Sequence, residues 1–290
     1  MSENNKPLEG KICMVTGATS GIGAVTARAL AQKGARVIIV ARNVNRCENT
    51  VAEIIQTTGN HAVEYMLADL SSQDEIHNLV RVYQDKYERL DVLVNNAGGF
   101  FMSRLESIDG IEMTFALNHL NYFLLTNLLI ETIKASAPAR IVNVSSAAHQ
   151  NASIDFDDLQ DKHNYSGWQA YGQSKLANIL FTYELARRLE GTGVTVNALH
   201  PGFVATNFGA NNAGFLGTLV RRFMNLFSID VETGAQTSIY LTASAEVEGV
   251  TGKYFVKQQA VASSEISYDQ TTAKRLWEIS EEMTGVRESA

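Results

Sequence analysis

The sequence predicts a single doubly wound α/β domain with a parallel sheet of about seven strands. Short apolar runs rich in β-branched residues alternate with stretches of helical composition along the chain. The runs are apolar throughout rather than alternately polar, which is typical of parallel strands that helices cover on both faces. The 290 residues suit one large domain or two small ones, and no proline-rich linker divides them, which favours one domain.

The strands are predicted where Val, Ile and other apolar residues are concentrated, because branched side chains pack well on a pleated surface. In chain order they are Lys11–Thr16, Arg36–Val40, Val63–Leu67, Asp91–Val94, Arg140–Val144 and Val194–Leu199.

The segments between the strands favour helix. Glycine readily adopts the left-handed conformation that follows a last helical turn, so Gly34 and Gly59 mark the ends of the first two helices. The predicted helices are Ala24–Lys33, Asn45–Thr57, Gln73–Tyr87, Ile111–Ala135 and Tyr171–Leu189.

Composition argues against several classes of protein. A formal net charge of -7 does not suit nucleic-acid binding, which needs concentrated Lys and Arg. Two cysteines are too few for a disulfide framework and fit a reducing compartment. No apolar run is long enough to span a membrane, and Met1 to Lys6 lacks the apolar core of a signal peptide. His149 and His163 have no further ligand at metal spacing, so no metal is expected.

Three glycines, Gly17, Gly21 and Gly23, lie between the first strand and the first helix. Glycines there allow a tight turn and close approach of a pyrophosphate, whose charge the helix N-terminus favours. Such a triplet can be only a loop, and its spacing is not G-x-G-x-x-G, but its place at the start of a βαβ series predicts a Rossmann-type nucleotide site.

The end of the second strand bears on the choice of cofactor. An acidic residue there would bind a ribose 2′-hydroxyl, whereas an arginine accommodates a 2′-phosphate. Arg42 follows this strand and no Asp or Glu lies between Val37 and Arg46, so NADP is preferred over NAD. The alternative to a role in binding the 2′-phosphate is that Arg42 is only a solvated charge in a loop. Asp69, after the third strand, either accepts from the adenine amino group or caps the following turn.

Tyr171 and Lys175 are four residues apart and therefore lie on one face of a helix. A nearby ammonium favours the ionised form of a phenol, which would make Tyr171 a general acid or base near neutral pH. Taken alone, the pair is a weak signal, because Tyr and Lys occur four apart by chance in most proteins and a solvated helix face is the commoner explanation.

The motifs occur together and in order. The chain contains Thr16-Gly17 through Gly23, Asn95-Asn96-Ala97-Gly98, Asn118, Ser145-Ser146, Tyr171-x-x-x-Lys175 and Pro201-Gly202. From about Gly10 to Val256 it resembles the short-chain dehydrogenase/reductase family. The retinol dehydrogenase-like branch is the closest pattern, on Asn118-His119-Leu120, Asp157-Asp158-Leu159 and His200-Pro201-Gly202.

The resemblance implies a catalytic tetrad. Ser146 would hydrogen-bond the substrate oxygen, and Tyr171 would donate its proton to that oxygen as hydride arrives from the nicotinamide. Lys175 would hold the nicotinamide ribose and lower the pKa of Tyr171, and Asn118 would anchor a water that relays protons to Lys175. The implied cofactor-binding residues are Gly17, Thr19, Ser20, Gly21, Ile22, Gly23, Arg42, Asp69, Leu70, Asn95, Ala97, Gly98, Tyr171, Lys175, Pro201, Gly202, Val204 and Thr206.

Two features depart from the branch. Asn121-Tyr122 stands where the branch usually reads Gly-His, which bears on packing and on whether the protein is a homodimer. Many animal members carry an N-terminal membrane anchor, whereas only about ten residues precede the first strand here, so a cytoplasmic location is expected.

Substrate contacts are expected from the loops 99–105, 147–168 and 203–229, beyond the carboxyl ends of the strands. Apolar residues recur at helical spacing from Phe215 to Phe227, which predicts an amphipathic lid within 203–229. An ordinary packed helix or a membrane-surface helix are the alternatives for that segment. With Phe100 and Phe101 facing inward, an apolar guest is expected.

The sequence therefore predicts an NADP-dependent oxidoreductase that interconverts a lipophilic ketone or aldehyde and its alcohol, working as a reductase. Two alternatives remain: a ring double-bond reductase of the protochlorophyllide reductase type, and a catalytically silent NADP(H)-sensing protein.

Overall fold

One sheet of eight strands lies at the centre of the computed structural model, which describes residues 6–202 and 230–286. The strands are β1 (Ile12–Thr16), β2 (Arg36–Ala41), β3 (Val63–Leu67), β4 (Val92–Asn95), β5 (Ala139–Val144), β6 (Val194–His200), β7 (Lys253–Val256) and β8 (Gln259–Val261). Their order is β3-β2-β1-β4-β5-β6-β7-β8. β1 to β7 pair in parallel, which confirms the predicted parallel sheet, and β8 adds an antiparallel edge strand. Neither β7 nor β8 was among the strands placed from the sequence.

Helices connect the strands. They are α1 (Gly21–Gln32), α2 (Val44–Thr58), α3 (Gln73–Lys86), α4 (Met113–Phe115), α5 (Asn121–Ala135), α6 (Gly167–Arg188), α7 (Val231–Ala243) and α8 (Gln270–Thr284). The single helix predicted over Ile111–Ala135 is interrupted, because a π-helical turn, Ala116–Leu120, separates α4 from α5. Sequence patterning did not predict α7 or α8.

The two faces of the sheet carry different cores because successive strand residues point to opposite sides. Met14 of β1 packs with α3, α5 and α6 on one face. Its neighbours Cys13 and Val15 pack with α1 and α2 on the other. β1 pairs with β2 on one side and with β4 on the other. The strand order therefore changes direction between β1 and β4. In open α/β sheets the crevice beyond the carboxyl ends of two such strands is where ligands bind.

α8 packs on α6 and covers it. Trp277 of α8 stacks on Phe181 of α6 with ring centroids 5.7 Å apart, and its ring meets Phe123 of α5 at 4.9 Å. His119 of the π-helical turn reaches Ser280 of α8, with Nε2 and Oγ 3.1 Å apart. Most of α6 is therefore buried within the chain, which fixes the helix that carries Tyr171 and Lys175.

The lid predicted at 203–229, together with Val204 and Thr206, lies outside the described residues. Among the helices that the structure describes, none has the length and hydropathy of a membrane span. The single-domain organisation, the cytoplasmic location and the homodimer stay predictions.

Candidate active site

A cleft of about 1540 Å³ opens beyond the carboxyl ends of the central strands. The predicted site residues that line it are Gly17, Thr19, Ser20, Gly21, Ile22, Gly23, Arg42, Asp69, Leu70, Ala97, Gly98, Ser146, Tyr171, Lys175, Pro201 and Gly202. We call the part formed by Gly17–Gly23, Arg42 and Asp69 the glycine-loop end, and the part formed by Ser146, Tyr171 and Lys175 the tyrosine end.

The backbone at the glycine-loop end requires glycine. Gly17 has a φ of 65°, and a Cβ there would lie 2.8 Å from Cα of Ala97. A Cβ on Gly23 would lie 2.5 Å from Nδ2 of Asn96 and 2.7 Å from the carbonyl oxygen of Gly17. Real Cβ atoms do not approach other heavy atoms so closely, so the tight turn between β1 and α1 tolerates no side chain at these positions.

The N-terminus of α1 faces the cleft without a side-chain cap. Asn43, Ser72, Asp230 and Asp269 accept backbone hydrogen bonds at the starts of α2, α3, α7 and α8. Ser20 makes no such bond at the start of α1, and the first turn of α1 contains no acidic residue. The first N–H groups of a helix have no intrahelical partner and carry a partial positive charge. This end of the cleft therefore fits the pyrophosphate of a dinucleotide.

Arg42 lies at the other side of the glycine-loop end and contacts Asp69. A guanidinium nitrogen of Arg42 lies 3.4 Å from Oδ2 of Asp69, with two thirds of the arginine side chain exposed. Although burial raises the pKa of Asp69, hydrogen bonds from Ser71 and the charge of Arg42 bring it below its usual value. Arg46, one turn into α2, also lines the cleft. Arg46 was not among the predicted site residues, although its place four residues after Arg42 could have indicated a second arginine at this end of the cleft.

The side chain of Asn95, one of the predicted cofactor-binding residues, lies behind the cleft. Its side chain is fully buried and donates to Thr126 and Asn143, at 2.9 Å each, so it ties β4 to α5 and β5 behind the cleft. Asn96 lines the cleft instead, and its Nδ2 donates to the carbonyl oxygen of Thr16 at 2.8 Å. Of two adjacent asparagines at a strand end, alternation sends one side chain inward and the other toward the crevice.

Ser145 and Ser146 are separated by the same alternation. Ser145 is buried and its hydroxyl donates to the carbonyl oxygen of Lys175 at 2.7 Å, which anchors β5 to α6. Both serines line the cleft, and the side chain of Ser146 lies beside Tyr171. The hydroxyl oxygen of Ser146 accepts from the backbone of Ala148 at 3.2 Å. Because the Ser145 hydroxyl is bonded to α6, Ser146 is the better placed of the two to reach a substrate.

Tyr171 is buried at the tyrosine end. Burial raises its pKa to about 12, and the hydrogen bond with Ser146 acts in the opposite direction. Nζ of Lys175 lies 5.6 Å from the centre of the Tyr171 ring. Burial also lowers the pKa of Lys175 to about 7. The lowering of the Tyr171 pKa by Lys175 stays a prediction.

Lys175 is held by the main chain. Its Nζ donates to the carbonyl oxygen of Val144 at 3.1 Å and lies 5.7 Å from the centre of the fully buried Tyr122 ring. Tyr122, which the sequence marked only as a departure from the branch, therefore forms part of the wall around the lysine.

Asn118 lies in the π-helical turn behind the cleft. Its Oδ1 accepts from the backbone of Gly99 at 2.7 Å, and its Nδ2 donates to Gly99 and to Ser174 at 3.0 Å each. A π-helical turn in the middle of a helix is frequent at functional sites. The side chain fixes the loop after β4 against α6, and its service to a water relay stays a prediction.

Aromatic rings form a wall beside Tyr171. Phe100 is buried, and its ring lies 4.7 Å from Trp168 and edge-on to Tyr171 at 5.9 Å, measured between centroids. Trp168 lines the cleft with 58% of its surface exposed. The side of the cleft next to the phenol therefore offers apolar surface to a guest.

A family model described as short chain dehydrogenase matches residues 11–214. Retinol dehydrogenase 12 of Mus musculus is 42% identical over 283 residues, covering 98% of this chain and 89% of that protein. Retinol dehydrogenase 14 of Homo sapiens is 43% identical over 299 residues, covering 96% and 88%.

A solved structure described as the RhlG/NADP active-site complex of Pseudomonas aeruginosa superposes with a TM-score of 0.69. It is 29% identical in sequence and covers 87% of this chain and 96% of its own.

Proposed function

The chain belongs to the short-chain dehydrogenase/reductase family, in its retinol dehydrogenase-like branch, and we propose that it uses NADPH to reduce lipophilic ketones or aldehydes to their alcohols. Membership makes it an oxidoreductase that acts on CH–OH groups. The cofactor preference, the class of substrate and the direction of reaction are our proposal.

One observation carries the proposal. The hydroxyl-bearing side chains of Ser146 and Tyr171 lie beside each other at one end of a cleft whose other end has an uncapped helix N-terminus. A dinucleotide with its pyrophosphate at α1 would extend toward these hydroxyls. Two adjacent hydroxyl donors suit the oxygen of a carbonyl group, since both can point at one atom that gains negative charge.

The chemistry that bound NADPH supplies is transfer of a hydride to the carbonyl carbon. Ser146 donates a hydrogen bond to the substrate oxygen and orients it. Tyr171 transfers its hydroxyl proton to that oxygen, which yields the alcohol and leaves a phenolate. The ammonium form of Lys175, at 5.6 Å from the ring centre, stabilises that phenolate and returns a proton toward it. A lysine with a pKa of about 7 can both hold and release this proton near neutral pH.

The preference for NADP rests on Arg42 and Arg46. Both line the cleft after β2, where the 2′ position of the adenine ribose would lie. Guanidinium groups bind phosphate through paired hydrogen bonds and so favour the phosphorylated cofactor. The structural relative that is described as an NADP complex supports the same choice.

Substrate class and direction have separate support. Trp168 and Phe100 provide an apolar wall beside Tyr171, and the relatives named retinol dehydrogenases are named for a lipophilic alcohol. Reduction is the proposed direction because cells keep their NADP pool mostly reduced. The contact between Ser146 and Tyr171 favours carbonyl chemistry over reduction of a ring double bond.

A carbonyl panel tests the proposal. Purified protein is assayed at 340 nm with long-chain aldehydes, cyclic ketones, retinal and small polar carbonyls, each with NADPH and with NADH. We expect turnover of the apolar members and at least about tenfold higher kcat/KM with NADPH, which corresponds to about 1.4 kcal/mol. Absence of turnover in every combination, despite tight NADPH binding, would favour the nucleotide-sensing alternative.

A further inference from the structure

His149 connects the turn that carries Ser146 to a distant part of the chain. Its Nδ1 lies 2.6 Å from the carbonyl oxygen of Ser146, and its Nε2 accepts from the backbone N–H of Ser264 at 3.1 Å. The ring is fully buried and meets Tyr254 of β7 at 4.9 Å between centroids. Both ring nitrogens are therefore in contact with main chain on opposite sides of the imidazole.

These two contacts determine where the proton of the ring lies. A backbone N–H can only donate, so Nε2 must be the unprotonated nitrogen. The proton is then on Nδ1, which donates to the carbonyl of Ser146. Burial lowers the pKa of His149, against the opposing effect of its bond to Ser146, so the ring is neutral at physiological pH. Among the residues that the structure describes, His200 and Tyr254 are titratable groups near this ring.

The carbonyl of Ser146 receives two hydrogen bonds from this one residue. Besides Nδ1, the backbone N–H of His149 donates to the same oxygen at 3.2 Å. The backbone of Ser146 is extended, with φ of -158° and ψ of 157°, immediately before the 3₁₀ turn Ala147–Asn151. Fixing the carbonyl fixes the orientation of the peptide plane that follows Cα and so limits where the Ser146 hydroxyl points.

We propose that His149 is a positioning residue for Ser146: its single neutral tautomer holds the Ser146 carbonyl and directs the hydroxyl at Tyr171 and the substrate oxygen. Its bond to Ser264 orients the ring and joins this end of the cleft to the segment that leads into α8. The expected effect on catalysis rests on the proposed carbonyl reduction. The assignment of the His149 tautomer does not depend on that reaction. A misplacement of about 1 Å at a reacting group costs roughly 100-fold in rate, so a residue of this kind affects kcat without touching substrate.

Two substitutions separate the two bonds. In His149→Asn the side-chain amide nitrogen takes the place of Nδ1, so the donor to Ser146 is kept and the acceptor for Ser264 is lost. In His149→Gln the amide oxygen takes the place of Nε2, so the acceptor is kept and the donor to Ser146 is lost. Each variant removes one hydrogen bond and most of the ring, and His149→Asn also leaves the Ser264 N–H without its acceptor, so the stability of each variant is measured beside its kcat.

The test compares kcat, KM for NADPH and thermal unfolding for the two variants and the wild type. We expect kcat of His149→Asn to stay within about threefold of wild type and that of His149→Gln to fall roughly 10- to 100-fold, with KM for NADPH unchanged in both. Equal losses of kcat in the two variants, or an unchanged kcat in His149→Gln, would overturn the proposal.

Ring ¹⁵N spectra of histidine-labelled wild-type protein test the tautomer without any substrate. The signals of the six histidines are assigned by single substitution. A proton on Nδ1 of His149 at pH 7 supports the proposal. A proton on Nε2, or a charged ring, overturns it even if the protein is an active reductase. If the carbonyl panel shows no turnover, the proposed function fails, and the spectra still decide the placement of the His149 proton.

Discussion

The two ends of the cleft present different kinds of chemical group to a ligand. At the glycine-loop end the ligand-facing groups are backbone N–H groups of α1 and side chains in contact with solvent, such as Arg42. At the tyrosine end they are side chains removed from water, and burial shifts the pKa of Tyr171 up to about 12 and that of Lys175 down to about 7.

The difference explains which groups bind and which react. Backbone donors and exposed charges recognise a large anionic ligand through many weak contacts, so no single side chain carries the recognition. Buried polar groups interact strongly because little water screens them. Loss of one side chain is therefore expected to be graded at the glycine-loop end and severe at the tyrosine end.

After loss of the general acid itself, the largest expected effect is that of Ser146→Ala. Removing a hydrogen-bond donor aimed at a developing oxyanion lowers kcat by about 10² to 10³. Ser145→Ala is the matched control, because Ser145 is adjacent in sequence and its hydroxyl bonds α6 rather than the cleft. That control should cost about 1 kcal/mol of stability and leave kcat within a few-fold. Steady-state assays that find equal kcat losses in the two variants would remove the distinction drawn between the serines.

A smaller effect is expected for Arg42→Ala. Hydrogen bonds to a charged group contribute about 1.5–3 kcal/mol, so the Kd for NADPH should rise by roughly 10- to 100-fold while the Kd for NADH hardly changes. Arg36→Ala is the control, because Arg36 lies at the opposite end of β2 and pairs with Glu64. Fluorescence titration of the wild type and both variants with NADPH and with NADH gives the six Kd values. A parallel loss of affinity for NADPH and NADH would mean that Arg42 does not read the 2′-phosphate.

The smallest effect concerns the support of the tyrosine end. His119, next to Asn118, is fully buried, and burial lowers its pKa to about 4, against an opposing bond to Asn178. Between pH 6.5 and 4 the unfolded chain binds this proton and the folded chain does not, so stability falls as the pH falls. At pH 5 the loss is about 2 kcal/mol relative to pH 7.

Urea unfolding at pH 7 and pH 5 measures this dependence. His119→Gln should be less stable at pH 7 and show a shallower fall toward pH 5. His77→Asn, on the exposed surface of α3, is the control and should retain the wild-type fall. A wild-type stability that is the same at both values would show that the ring of His119 is not kept neutral by burial.

Sequence patterning predicted most of the fold because parallel strands with both faces covered are apolar without interruption. The strand β3 (Val63–Leu67) was predicted at the bounds observed, and the other predicted strands differ by a residue or so at their ends. α7 was missed because its small and polar residues give no strong helical periodicity: Gly234, Ala235 and Ser238 are buried without being large or apolar. α8 was missed although its buried residues Ala273, Leu276, Trp277 and Ser280 recur at helical spacing, so a usable signal was present.

The candidate site was predicted less evenly. Motif positions identified the cleft residues, but the orientation of a side chain depends on the exact end of a strand, which is why Asn95 was chosen where Asn96 faces the cleft. The π-helical turn at Asn118 and the contact between His149 and Ser264 depend on long-range packing. Residues 149 and 264 are far apart in the chain, and no local pattern connects them.

Tyr171→Phe tests the central claim most directly, since it removes the proton donor and leaves the aromatic wall. NADPH affinity is measured by fluorescence and kcat on the best substrate of the carbonyl panel. We predict a Kd for NADPH within about threefold of wild type and a kcat lower by roughly 10² to 10⁴, the range for loss of a general acid. A variant that keeps a kcat near that of the wild type would contradict the assignment of Tyr171 as the acid.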